Sequence, residues 1–128
     1  MNYKYALDSY AWAELFDGTE KGRRVKDLIE QGSIGTSIIT LAEFSDKCAR
    51  EGRNIEPFIR FIQAKSAILP LTLEIAIKTG KLKFELRKIS SNISLADAIH
   101  FQTAKSVGAM FVTGDQDFKD MKGILFLG

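Results

Sequence analysis

The sequence predicts an α/β fold built on a central, mostly parallel sheet of about five strands flanked by helices. Three observations predict it. Short apolar and β-branched runs alternate with longer segments of helical periodicity, the pattern of strand–helix–strand units. The 128 residues suit one domain, 1–128, with no internal repeat, low-complexity tract or Pro/Gly/Ser-rich linker to divide them. A composition of 45% hydrophobic and 27% charged residues fits a globular chain that buries a core.

Each element has its own signal. Residues 3–7 form a short strand ending at Asp8. "SYAWAELFDG" is helical, with Gly18 as its stop, and "KGRRVKDLIEQG" is a second helical piece closed by Gly32. "SIGTSII" (33–39) is β-branched and apolar, hence the second strand. It runs into a helix, "TLAEFSDKCAREG", that ends at Gly52. "IEPFIRFIQAK" spaces Ile55, Phe58, Ile59 and Ile62 along one helical face. "SAILPL" is a third strand, and Pro70 makes it stop early or lie at an edge. "TLEIAIKTGKLKFELRK" is a long amphipathic helix that Gly80 weakens, and "SLADAIHFQTAKSVG" is another helix. "AMFVT" is the fourth strand, a turn follows, and "ILFL" is the fifth.

Bulk properties exclude several function classes. Cys48 is the single cysteine, so neither an internal disulfide nor a cysteine zinc cluster is possible, and a reducing, cytoplasmic setting is expected. The first residues lack the apolar run of a signal peptide, and no stretch approaches a membrane span. Eighteen Lys and Arg against sixteen acids leave a net charge of +2, which by itself argues neither for nor against nucleic acid.

The acids carry the functional signal. Parallel sheets bind ligands outside the carboxyl ends of their strands. Asp8 ends the first strand, Glu43 lies one helical turn after the second, and Asp115 and Asp117 follow the fourth. Asp97 opens a helix whose preceding chain is able to reach the same edge. Two carboxylates about 5 Å apart repel by roughly 3 kcal/mol at an effective dielectric near 20. Protonation or a cation relieves such repulsion. All-oxygen donors favour Mg²⁺ or Mn²⁺, which polarise phosphoryl oxygens and activate water for phosphodiester hydrolysis. Four of these acids also have a purely structural reading. Asp8 suits a helix N-cap, Thr40 with Glu43 and Ser94 with Asp97 fit the capping-box spacing, and Asp117 suits a turn.

Taken in order, "LDSYAW", "SIITLAEF", "SLADAIHFQTA" and "FVTGDQDF" resemble the PIN domain, specifically the VapC-type ribonuclease toxins of toxin–antitoxin pairs. The resemblance covers essentially the whole chain, and the last two motifs are the most specific. It implies a single PIN-like domain around a parallel sheet, an acid cluster binding Mg²⁺ or Mn²⁺, and endonucleolytic cleavage of RNA. It also implies a cognate antitoxin as partner and a homodimer. Carried over by position, Asp8, Glu43, Asp97 and Asp115 are the catalytic acids. Asp8, Asp97 and Asp115 hold the metal, and Glu43 shares that role or orients the attacking water. Asp117, Ser9 and Thr113 support them. His100 stands where the family commonly has an aliphatic residue. It reads as a partly buried helix histidine bonding a carbonyl and stays outside the catalytic set.

Two further features have bland readings. The basic cluster Lys78, Lys81, Lys83, Arg87 and Lys88, diluted by Glu74 and Glu85, reads as a solvated helix face rather than an RNA contact, as does Arg23, Arg24 and Lys26. Trp12, Phe16, Phe58 and Phe61 read as core or partner surface rather than as base-stacking platforms. The rival functions are a non-enzymatic binding module on the same fold and a receiver-like phosphoacceptor domain. The second wants paired acids after the first strand and an Asp after a central one, yet Asp8 is followed by Ser9 and "SAILPL" has no Asp.

Overall fold

Strands and helices alternate along the chain in the computed structural model, which describes residues 2–128. The order is β1 (Tyr5–Leu7), α1 (Ser9–Asp17), α2 (Glu20–Glu30), β2 (Ile34–Ser37), α3 (Ile38–Glu51) and α4 (Glu56–Lys65), then β3 (Ala67–Leu69), α5 (Leu73–Leu86), α6 (Leu95–Ser106), β4 (Met110–Thr113) and β5 (Ile124–Phe126). A 3-10 turn, Gln116–Phe118, separates the last two strands. All five strands pair in parallel, in the order β3-β2-β1-β4-β5. β3 is an edge strand that stops before Pro70, so Pro70 breaks no ladder. The receiver-like order, 2-1-3-4-5, is a different one, and that rival falls.

The side-chain alternation of the central strands divides the core in two. Leu7 of β1 and Val112 of β4 join Trp12, Val25, Phe44, Cys48 and Ile62 on one face. Ala6 and Phe111, their neighbours in sequence, join Leu86, Ile93, Ala98, Phe101 and Phe118 on the other. The first core contains an aromatic cluster: Phe16 packs against Trp12, Phe44, Phe58 and Phe61. The Trp12 indole N–H donates to Thr36 Oγ1 at 3.1 Å. These rings therefore pack on one another, with Trp12 in the core, Phe16 and Phe58 half-buried against it and Phe61 at the surface. Part of the basic cluster on α5 and at its exit is engaged locally. Lys78 pairs with Glu74, Lys88 with Glu85, and Arg87 donates to the Ser91 carbonyl.

One boundary departs from expectation in a way that matters for the site. β2 ends at Ser37, and Ile38 and Ile39 begin α3 rather than continuing the strand. The Ser37 hydroxyl accepts from the Ile39 N–H and caps the helix. Thr40 is thus already inside the first turn and forms no capping box with Glu43. Gly80 does not interrupt α5, which runs unbroken from Leu73 to Leu86.

Helices α1 and α2 cross closely at Gly22. A Cβ there would stand 2.1 Å from the Glu14 carbonyl oxygen, which is backbone and cannot rotate away. Gly22→Ala is expected to destabilise the fold by about 1–3 kcal/mol in urea unfolding, the range for an overpacked contact, despite alanine's better helix propensity.

Candidate active site

Strand order reverses between β1 and β4: β2 and β3 lie on one side of that pair and β5 on the other. The crevice at the carboxyl end of such a reversal is where open α/β sheets place their ligands. Asp8 leaves β1 at this point and Asp115 follows β4. The register Leu7 to Val112 brings Asp8 beside Thr113, and the Asp8 N–H donates to the Val112 carbonyl at 3.2 Å. Asp8 caps α1 by accepting from the Ala11 N–H at 2.8 Å, and the Thr113 hydroxyl hydrogen-bonds its carboxyl. Thr113 Oγ1 also accepts from the Asp115 N–H at 3.1 Å. This one hydroxyl links the first acid to the loop that carries the fourth.

Glu43 reaches the edge from α3. Its Oε1 lies 2.7 Å from His100 Nε2 and 3.5 Å from Ser9 Oγ, the latter a long contact. His100 Nδ1 lies 3.3 Å from Thr40 Oγ1, and the ring stacks on Phe111. His100 is 4% exposed and bonds a carboxylate and a hydroxyl, which corrects the expectation of a carbonyl partner. No sequence signal could have found this pairing, because 57 residues separate its members.

The remaining acids are held by local backbone. Asp97 completes a capping box: its Oδ2 accepts from the Ser94 N–H at 2.9 Å, and its own N–H donates to Ser94 Oγ. Asp115 Oδ1 accepts from the Asp117 N–H at 2.9 Å, and Asp117 Oδ1 accepts from Ser90 Oγ at 3.0 Å. Asp8, Glu43, Ser9, Thr113 and His100 thus form one half of the site, and Asp97, Asp115 and Asp117 the other. Among the described residues, no three Asp, Glu, His or Cys side chains draw together closely enough to hold one ion. A cavity of about 290 Å³, lined in part by Ser9, Tyr10, Glu14 and Lys47, opens next to the first half. A larger one of about 370 Å³, lined by Thr72, Lys78, Gln102 and Lys105 among others, has none of the acids in its wall.

Comparison with known proteins bears on this geometry. The sequence model of the PIN domain matches residues 5–124. The chain belongs to the PIN domain family. Solved structures share its fold along nearly its full length. The toxin–antitoxin complex from Klebsiella pneumoniae is 21% identical with a TM-score of 0.78, covering 98% of each chain. VapBC2 from Rickettsia felis, bound to a DNA fragment from its promoter, is 18% identical with a TM-score of 0.73, covering 95% of this chain and 96% of that one. VapC20 from Mycobacterium tuberculosis, a sarcin-ricin loop cleaving toxin, is 17% identical with a TM-score of 0.70, covering 93% and 95%. No curated protein matches by sequence. No helix among the described residues is long and apolar enough to cross a membrane.

The charge balance of this PIN domain sharpens the site. Asp8 is 8% exposed, and burial pushes its carboxyl up to about 6 against the bonds from Thr113 and Ala11. Asp115 is also raised, first by burial and then by the neighbouring Asp117 and Asp97 carboxylates. No lysine or arginine among the described residues forms an ion pair with Asp8, Asp97, Asp115 or Asp117. An N-cap contributes about 1 kcal/mol, and Asn or Ser caps equally well. The charge on Asp8 costs about 3 kcal/mol at neutral pH, by the gap between its native value and the usual 3.8. Capping alone therefore does not account for an aspartate here.

A stability measurement follows. Between about 4 and 6 the native chain binds a proton at Asp8 that the unfolded chain has lost, so stability falls as pH rises through that window. With a chelator present, Asp8→Asn is expected to be more stable than wild type at pH 7.5 by up to about 3 kcal/mol. The difference should close below pH 4. Denaturant unfolding across that range checks it.

Proposed function

We propose that this chain is a divalent-metal-dependent endoribonuclease and the toxin of a VapBC-type toxin–antitoxin pair. The observation that supports the reading is that, in a PIN domain, Asp8 and Asp115 follow the adjacent strands β1 and β4 with no lysine or arginine among the described residues paired to either. The structural neighbours named as toxins and toxin–antitoxin complexes support the biological setting. In this reading the partners are an RNA substrate, a cognate antitoxin and a second copy of the chain, all in the cytoplasm.

The donor set fits Mg²⁺ or Mn²⁺: carboxylate oxygens only, with Asp8 and Asp115 both short of positive charge. Asp8, Asp97 and Asp115 would hold the ion, their rotamers preset by the Ala11, Ser94 and Asp117 N–H groups. When bound, the cation supplies Lewis-acid polarisation of the scissile phosphate. Glu43 accepts a proton from, and orients, the attacking water. Ser9 and Thr113 contribute hydroxyls beside the acids, and Asp117 braces the Asp115 loop against Ser90. One observation favours a second reading, a non-enzymatic PIN-like binding module: the acids stand in two halves rather than in one tight cluster.

A metal-titrated assay separates the two. Mn²⁺ is expected to raise the melting temperature of wild type and to support cleavage of RNA. Asp97→Asn should fold, show little metal-induced shift and lose cleavage by about 10²-fold or more. A wild type that neither shifts with Mn²⁺ nor cuts RNA is a binding module.

A further inference from the structure

His100 is the only histidine in the sequence, and it is buried where two helices meet. It projects from α6 one turn after Asp97. Both of its polar partners, Thr40 and Glu43, come from one face of α3. We propose that His100 is a positioning residue for Glu43, selecting which carboxylate oxygen faces the reacting water; the inference rests on the nuclease reading above.

The partners constrain the bonding pattern. A carboxylate only accepts, so Nε2 carries the hydrogen toward Glu43 Oε1. In the neutral ring Nδ1 is the remaining acceptor, and the Thr40 hydroxyl then donates to it. Stacking on Phe111 fixes the plane of the ring. Glu43 itself is only half covered, its side chain 38% exposed. An unanchored glutamate there would sample several rotamers. The bond from the buried imidazole occupies Oε1, with Ser9 Oγ as a distant second donor. Among the described residues Oε2 has no hydrogen-bond partner, which leaves it as the acceptor for water at the edge. A histidine serving packing alone would spend its N–H on a backbone carbonyl of its own core. This one spends it on a partly exposed acid whose charge Asp8 also feels.

The test uses two replacements and one spectrum. His100→Phe keeps the ring against Phe111 and removes the donor, while His100→Gln keeps an amide N–H near the Nε2 position. Under single-turnover conditions with Mn²⁺ and RNA, His100→Phe should lower the cleavage rate constant about tenfold or more with KM within about twofold. His100→Gln should recover most of that loss. In a Glu43→Gln background His100→Phe should add less than about a further twofold, because its effect runs through Glu43. Nitrogen-15 NMR of the single imidazole in untagged protein should show a protonated Nε2 and a bare Nδ1, and Glu43→Gln should perturb the Nε2 signal. Full activity in His100→Phe, an additive loss in the Glu43→Gln background, or a hydrogen on Nδ1 alone would each overturn the proposal. If His100→Phe fails to fold, the Gln variant and the spectrum decide. If wild type cuts no RNA, the nuclease reading fails, and an unperturbed imidazole in Glu43→Gln would independently remove the bridge.

Discussion

The parallel register of β1 against β4 is the constraint on which the site depends. Pairing Leu7 with Val112 aligns Asp8 with Thr113, and Thr113 then holds both the Asp8 carboxyl and the Asp115 backbone. The same register is fixed by packing. Leu7 and Val112 fill one core while Ala6 and Phe111 fill the other. A slip of one residue would send each of these side chains to the wrong face. The energy of two cores therefore stands behind the position of one buried carboxylate. That is how a domain with a stability of order 5–15 kcal/mol tolerates an acid whose charge costs about 3.

The structural roles of the acids leave room for a functional one. Asp8, Asp97 and Asp115 each accept a backbone N–H at the start of a helix or 3-10 turn. Each such bond takes one direction of a carboxylate that has about four acceptor sites. The cap immobilises the rotamer and takes only part of that capacity, of which Thr113 fills a further share on Asp8. Helix starts also carry partial positive charge, which lowers the cost of keeping an acid ionised there. A cluster assembled from caps is in this sense partly preorganised before any cation arrives.

Much of this was legible in the sequence. The alternation of apolar runs and amphipathic segments is a strong signal, and Gly18 and Gly52 mark helix ends because both adopt a left-handed conformation there. Asp8 as an N-cap and Ser94–Asp97 as a capping box follow from local chemistry and were readable residue by residue. The β2–α3 boundary was not. "SIGTSII" carries four β-branched residues that read as one strand, and the Ser37 cap at Ile39 N–H, a competing local signal, starts the helix inside the run. That misreading also hid Thr40, whose hydroxyl faces His100 instead of an N-terminal amide. Contacts between residues 57 or 60 apart leave no periodic trace, so the histidine's partners were invisible until the helices were packed.

The acids differ in what holds them in place. Asp8 and Asp115 sit at the ends of adjacent strands, where ladder hydrogen bonds set their separation. Glu43 and Asp97 ride on α3 and α6, and a helix shifts on a sheet more readily than a strand shifts within one. Their placement therefore depends on packing between the helices. Ala98, fully buried one residue past Asp97, is small enough to let α6 sit close against its core. The imidazole bridge then ties α6 directly to α3 by hydrogen bonds, which are directional where apolar packing is not. The sheet edge places Asp8 and Asp115 by backbone geometry. The helix-borne acids, Glu43 and Asp97, depend on how α3 and α6 pack, and the histidine is the side chain that ties those two helices together.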